Sequence, residues 1–265
     1  MAKYDSIISG IFQDLYEVGA TTIPFARDAI AQKSRELGFE PPRNLGDVVY
    51  ACKYRNRLPE EIRKTAPDGY YWRIKNTGIA QYAFVLTPGS EFVEPDRMLA
   101  TVKIPDGTPS IVKKYRISDE QALLAIVRYN RLIDLFLGIT CYSLQNHLRT
   151  TVTGIGQIET DELYVGVDRT GRQFIIPVQA KGGTDKLGIS QIEQDLALCS
   201  EKYPDLICRT VACQFITNEI VAMFEFSVEE DRIVKIRERH YQIVDACAIA
   251  AEDLFGYRLH EHDTF

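Results

Sequence analysis

The sequence predicts an α/β chain of mixed α+β character, built in two parts, with a mixed central sheet in the second part. Three observations lead there. Apolar residues recur at helical spacing through the first fifty positions and give way to a hairpin signal. A stretch punctuated by Pro88, Gly89, Pro95, Pro105, Gly107 and Pro109 then interrupts the chain. Beyond it the order becomes helix, strands, helix, strand, with strand segments rich in Val, Ile, Phe and Tyr.

Ile7, Ile8, Ile11, Phe12 and Leu15 line one face of a first helix from Tyr4 to Val18. Thr22-Ile23-Pro24 reads as the start of a second, stopped at Leu37-Gly38. Asn44-Leu45-Gly46-Asp47 opens a third, through Val48, Val49 and Cys52 to about Arg55, and Pro59 breaks or restarts the chain beyond it. Tyr70 to Lys75 and Ile79 to Leu86 read as strands around the turn Asn76-Thr77-Gly78. Residues 1–90 thus form one domain, 91–116 a connector and 117–265 a second domain. In the latter, Ser118-Asp119-Glu120-Gln121 is a capping box for a helix carrying Leu123, Leu124, Ile126, Val127, Ile133 and Leu137. A further helical piece is expected after Gly138, through Leu144 and Leu148. Ile158 to Val167 and Gln173 to Ala180 form a hairpin around Asp168-Arg169-Thr170-Gly171, then come a helix from about Leu187 to Lys202 and a strand from Leu206 to Ile216.

Composition narrows the function classes. Hydrophobic content of 45% and charged content of 26% fit a globular chain and argue against disorder. No apolar run reaches spanning length, and MAKYDSIISG lacks the pattern of a signal peptide, so a cytoplasmic protein with no membrane partner is expected. Six cysteines without a CxxC pair read as reduced thiols rather than a zinc ribbon. A net charge of -6 argues against indiscriminate nucleic-acid binding. A local basic region nevertheless runs through Lys53, Arg55, Arg57, Arg63, Lys64, Arg73 and Lys75, interleaved with Tyr50, Tyr54, Tyr70, Tyr71 and Trp72. That mixture suits phosphate contacts combined with stacking.

The segment QIETDELYVGVDRTGRQFIIPVQAKGG, Gln157 to Gly183, carries the chemistry. Strand alternation puts Glu159, Asp161, Leu163 and Val165 on one face, and Gln179 with Lys181 on one face of the next strand. The hairpin's open end then gathers Asp161, Gln179 and Lys181. A hard divalent cation takes carboxylate and amide oxygens, and a neighbouring lysine stabilises charge developing on a phosphoryl group.

These residues resemble the PD-(D/E)XK nuclease superfamily, most closely its type II restriction endonuclease-like members, over the second half of the chain. Asp161 matches the first acid of that pattern and Lys181 the lysine, while Gln179 stands where Glu or Asp is usual. The neutral amide leaves charge to be supplied elsewhere, and Glu159 is the nearest candidate. The resemblance implies metal ligands Asp161, Gln179 and Glu159, with Gln191 a carry-over from the helix after the lysine. Asp134 and Glu120 are candidates for an acid of the first core helix, and His147 for a base or phosphate ligand. The first domain is similar in element order to winged-helix domains, which implies Lys53, Arg55 and Arg57 near DNA in the major groove and Arg73 or Lys75 on the wing.

Together the resemblances imply a Mg²⁺-dependent endodeoxyribonuclease, with Mn²⁺ as a substitute, acting on duplex DNA. A homodimer would serve the cutting of two strands, with Ile220 to Val228 or Asp245 to Phe255 as interface or as core. A non-catalytic DNA-binding regulator on the same fold and a protein-interaction module remain the alternatives.

Overall fold

The computed structural model describes residues 3–54, 56–115, 120–153, 155–182, 185–217, 219–229 and 232–259. It divides into two compact units, residues 1–92 with 153–156, and residues 93–152 with 157–265.

The first unit contains α1 (Lys3–Leu15), β1 (Thr22–Ala26), α2 (Arg27–Glu36), α3 (Gly46–Tyr54), α4 (Glu60–Arg63), β2 (Tyr70–Gly78) and β3 (Gln81–Pro88). Ile7, Ile8, Ile11 and Phe12 place one stripe of α1 in a core with Ile23, Phe25, Ile30, Val48, Trp72 and Phe84. Phe12 meets Trp72 and Phe84 edge-on, at centroid separations of 5.2 and 5.1 Å. The Trp72 indole N–H donates to Thr65 Oγ1 at 2.9 Å, so its polar end is satisfied.

Two local readings change. Thr22-Ile23-Pro24 opens a strand, and the helix begins only at Arg27. The reason is period-two burial, with Ile23 and Phe25 inside and Thr22 and Pro24 outside. β1 pairs antiparallel with β3 at the sheet edge, where a proline is tolerated, and gives the order β1-β3-β2. The hairpin turn falls at Ile79 and Ala80, because β2 continues to Gly78 through a register shift and Gly78 pairs with Gln81. The unit thus runs helix, strand, two helices, a short helical turn and a hairpin that closes on the first strand.

The chain continues through β4 (Phe92–Val93), β5 (Thr101–Pro105), α5 (Ser110–Tyr115), α6 (Glu120–Tyr129), α7 (Leu132–Leu137), β6 (Thr140–Val152), β7 (Gly156–Val167), β8 (Gln173–Lys181), β9 (Leu187–Gly188), α8 (Ile189–Lys202), β10 (Ile207–Cys208), β11 (Thr210–Phe215), β12 (Ile220–Glu229), β13 (Arg232–Val244) and α9 (Ala251–Leu259). The main sheet runs β5-β13-β12-β11-β8-β7-β6, with β10 also beside β8. It is mixed: β11 and β10 lie parallel to β8, and β5 parallel to β13. One face carries α6 and α7 over Ile176, Val178, Ala180, Val211 and Met223. The other carries Leu187 and Ile192 against Ala212, Ala222, Phe224 and Phe226.

The segment read as a connector, 91–116, contributes β5, since Val102 and Ile104 pack against the main core and Thr101 pairs with His240. The helical piece expected after Gly138 is β6 instead. Gly138 in a left-handed conformation ends α7, and the Thr- and Tyr-containing segment after it extends along the sheet edge. Val221 to Phe226 are buried within the sheet, so core burial accounts for that apolar run. The capping residues Ser118 and Asp119 lie outside the described residues. No described helix is long and apolar enough to cross a membrane.

Phe12→Ala should cost the first unit about 3–5 kcal/mol of stability, the usual loss for a fully buried phenylalanine. Urea denaturation followed by tryptophan fluorescence reads this directly through Trp72; a loss under about 1 kcal/mol would remove Phe12 from the centre of this core.

Candidate functional site

β7 and β8 pair antiparallel from Val167↔Gln173 to Glu162↔Val178. Past that point the ladder yields to side chains: the backbone N–H of Ala180 donates to Asp161 Oδ2 at 2.8 Å. Asp161 is half-buried, and so is Lys181, the last residue of β8. Lys181 lies beside Gln214 of the parallel strand β11.

Gln179 is only 1% exposed and sits between two residues of α8. Its amide nitrogen donates to both carboxylate oxygens of Asp195, at 3.1 and 3.0 Å. Its amide oxygen accepts from Gln191 Nε2 at 3.3 Å. An amide oxygen has two lone pairs, so this contact leaves one for a further partner. Thr160 Oγ1 also donates to Asp195, at 2.6 Å. Asp195 itself is 0% exposed. Burial pushes its carboxyl up to about 7; hydrogen bonds from Thr160 and Gln179 oppose that rise, the Asp161 charge adds to it and Lys181 opposes it.

The structure therefore brings Asp161, Gln179, Lys181 and Gln191 to one locality and adds Asp195 and Thr160. Asp195 escaped the sequence reading, although it lies four residues after Gln191 and hence on the same helix face. The carboxyl hydrogen-bonded to Gln179 is that of Asp195, not of Glu159. Strict alternation fails where the β7–β8 ladder ends, so Thr160 points to Asp195 while the Glu159 carboxylate turns to Arg149 Nε at 3.1 Å and to His147 Nδ1 at 3.8 Å. Only the Glu159 carbonyl approaches Gln179, at 3.4 Å from its nitrogen.

The remaining candidates separate. Asp134 Oδ1 accepts from Cys141 N at 2.9 Å and pairs with Arg131, bracing the turn into β6. The side chain of Glu120 lies outside the described residues. His147, in a left-handed conformation at φ 48°, contacts Gln121 Nε2 at 2.8 Å. Among the described residues no group of three or more His, Cys, Asp or Glu could hold a metal, and the six cysteines are free thiols.

In the first unit, Lys53 at the end of α3 donates to Asn76 Oδ1 at 3.1 Å, next to Lys75 on the hairpin. Arg73 donates to Thr87 Oγ1 across the same hairpin at 3.0 Å. Arg57, in the loop after α3, lies 4.2 Å from the centroid of the Phe92 ring. Arg55 lies outside the described residues. Comparison with protein-family models, curated proteins and solved structures yields no match to this chain.

Two measurements test this network. Gln179→Glu would set a second carboxylate about 3 Å from Asp195, which should cost about 3 kcal/mol in metal-free buffer, more at pH 8 than at pH 5. Adding Asp195→Asn should recover most of that loss by restoring one acid and one amide, and equal losses in single and double variants would contradict the pairing. The second measurement tracks wild-type stability against pH in EDTA. Folded Asp195 keeps its proton to about pH 7, whereas the unfolded chain releases it near pH 3.9. The folded state binds more protons across that window, so this group's contribution falls as pH rises and levels off above about 7. Asp195→Asn should flatten that slope, and an unchanged slope would place the titrating group elsewhere.

Proposed function

We propose that this chain is a divalent-cation-dependent endonuclease of restriction-enzyme type that hydrolyses phosphodiester bonds in duplex DNA in the cytoplasm. The observation that supports it is the meeting of Asp161, Gln179 and Lys181 with a fully buried Asp195, the first three being the residues that resemblance to the PD-(D/E)XK nucleases implies. The residues fit Mg²⁺ or Mn²⁺. The oxygens of Asp161 and Gln179 are hard donors, and Mg²⁺ ordinarily takes one or two protein carboxylates while keeping several waters. Asp195, hydrogen-bonded to the Gln179 nitrogen, polarises the amide so that its oxygen becomes a better donor. A cation there would also relieve the repulsion that Asp161 exerts on Asp195.

A bound cation supplies Lewis acidity toward a phosphoryl oxygen. The chain's own residues do the remainder. Lys181 places a positive charge against the scissile phosphate and stabilises charge developing on it. Gln191 fixes the orientation of Gln179, and Thr160 holds Asp195 in place. The winged-helix-like unit grips duplex DNA through Lys53, Arg55, Arg57, Arg73 and Lys75, and a homodimer would bring two sites to two strands. A second reading, a DNA-binding regulator without catalysis, draws on the neutral Gln179 and on the absence of a three-residue metal group among the described residues.

The test is plasmid nicking with Mg²⁺ or Mn²⁺ beside a metal-free gel shift. Asp161→Ala and Lys181→Ala should each lower cleavage by about 10²-fold or more and keep DNA binding. Asp161→Ala should also weaken Mg²⁺ binding in calorimetry, whereas Lys181→Ala should retain most of it. Strong cleavage by either variant would overturn the site, and a wild type that binds DNA without cutting would favour the regulator.

A further inference from the structure

The hairpin of the first unit ends in an unusual residue. Two-residue turns favour Asn, Gly or Asp, yet the tip here is Ile79-Ala80, and Ile79 is 99% exposed. Ala80 adopts φ 56°, a left-handed conformation that disfavours any side chain. Neither residue contributes to the core of the unit.

The tip is also held in place. The Ala80 carbonyl accepts from Arg27 N at 2.9 Å, which ties it to the start of α2. Asn76, just before the tip, accepts from Lys53 at the end of α3. The Arg27 guanidinium reaches Tyr82 Oη at 3.3 Å on the returning strand. An isoleucine is thus presented on a braced support, whose backbone is tied to Arg27 and whose preceding Asn76 is tied to Lys53, with Lys75 four residues before it on β2. From Tyr70 to Pro88 the hairpin contains Arg73 and Lys75 and no Asp or Glu.

We propose that Ile79 is a wedge that enters a groove of duplex DNA and partly unstacks one base step, while the surrounding cations hold the flanking phosphates. Apolar side chains inserted between base steps are an established means of kinking DNA, and flexible pyrimidine–purine steps yield to them most readily. The charge pattern favours a polyanion over a protein groove, since an acid-free hairpin flanked by Arg and Lys complements phosphates. The proposal rests on the reading of this unit as a DNA grip and deepens it: the cations supply affinity, and Ile79 supplies a preference for deformable steps.

The experiment uses the full chain in EDTA with a mixed-sequence duplex, measuring affinity by gel shift and thymine unstacking by permanganate reactivity. Wild type should bind and raise reactivity at TA steps. Ile79→Ala should bind about tenfold more weakly with the rise abolished. Ile79→Phe should restore the rise, and Lys75→Ala should flatten the salt dependence while leaving Ile79's signature in place. Because Ile79 is exposed, unchanged circular dichroism is expected for its variants. Equal binding and equal reactivity for wild type and Ile79→Ala would overturn the wedge and leave the DNA grip standing. Absence of duplex binding by wild type would overturn both, and capture of a protein partner lost in Ile79→Ala under those conditions would assign the tip to protein docking.

Discussion

The second unit depends on a carboxylate buried without a cationic hydrogen-bond partner of its own in the described network. Asp195 is enclosed beneath α8, where an ionised carboxyl loses its hydration and must be compensated by the protein. Gln179 and Thr160 provide that compensation with neutral donors, so a residue of β8 and a residue of β7 are both fixed against one turn of α8. Asp161 and Lys181 occupy the same two strands and inherit that fixed geometry. The neutral amide at position 179 is then the chemically sensible partner for an acid already in the helix, since two carboxylates at that separation would compete for one proton.

Legibility in the sequence depended on the range of each signal. Period-two alternation identified β7 and β8, and with them Asp161, Gln179 and Lys181, because local strand geometry is repeated over many residues. It failed at the end of the ladder, where Thr160 and Glu159 exchanged the roles that alternation assigned them. Gln191 was found through its place on α8, but Asp195 was not, since nothing in a helical aspartate announces burial; only the packing of α8 on β8 does. In the first unit the apolar stripe of α1 was plain. β1 was hidden because a proline after Thr-Ile looks like a helix start until β3 is available to pair with it. β5 and β6 were missed for the same reason, as edge strands take their identity from neighbours far away in sequence.

The opposite face of the sheet shows why Asp195 differs from an ordinary buried acid. Glu162, also 0% exposed, is paired with Arg128 and accepts from the Tyr164 hydroxyl. Glu225, equally enclosed, is paired with Arg209 and lies 3.6 Å from Arg237, which in turn donates to the Phe136 carbonyl of α7. Glu162 and Glu225 on the α6 and α7 face thus each have a guanidinium against them, whose attraction offsets the desolvation of a buried charge. On the α8 face the acid is instead left near neutrality, with Asp161 raising and Lys181 lowering its affinity for a proton. A cation arriving beside such a carboxyl would favour its ionised form. Glu238, across from Phe224 on the α8 face, is itself paired with Lys235 and His240, so it is Asp195 in particular that is left to neutral donors, beside Gln179 where Asp161 and Lys181 also act on it.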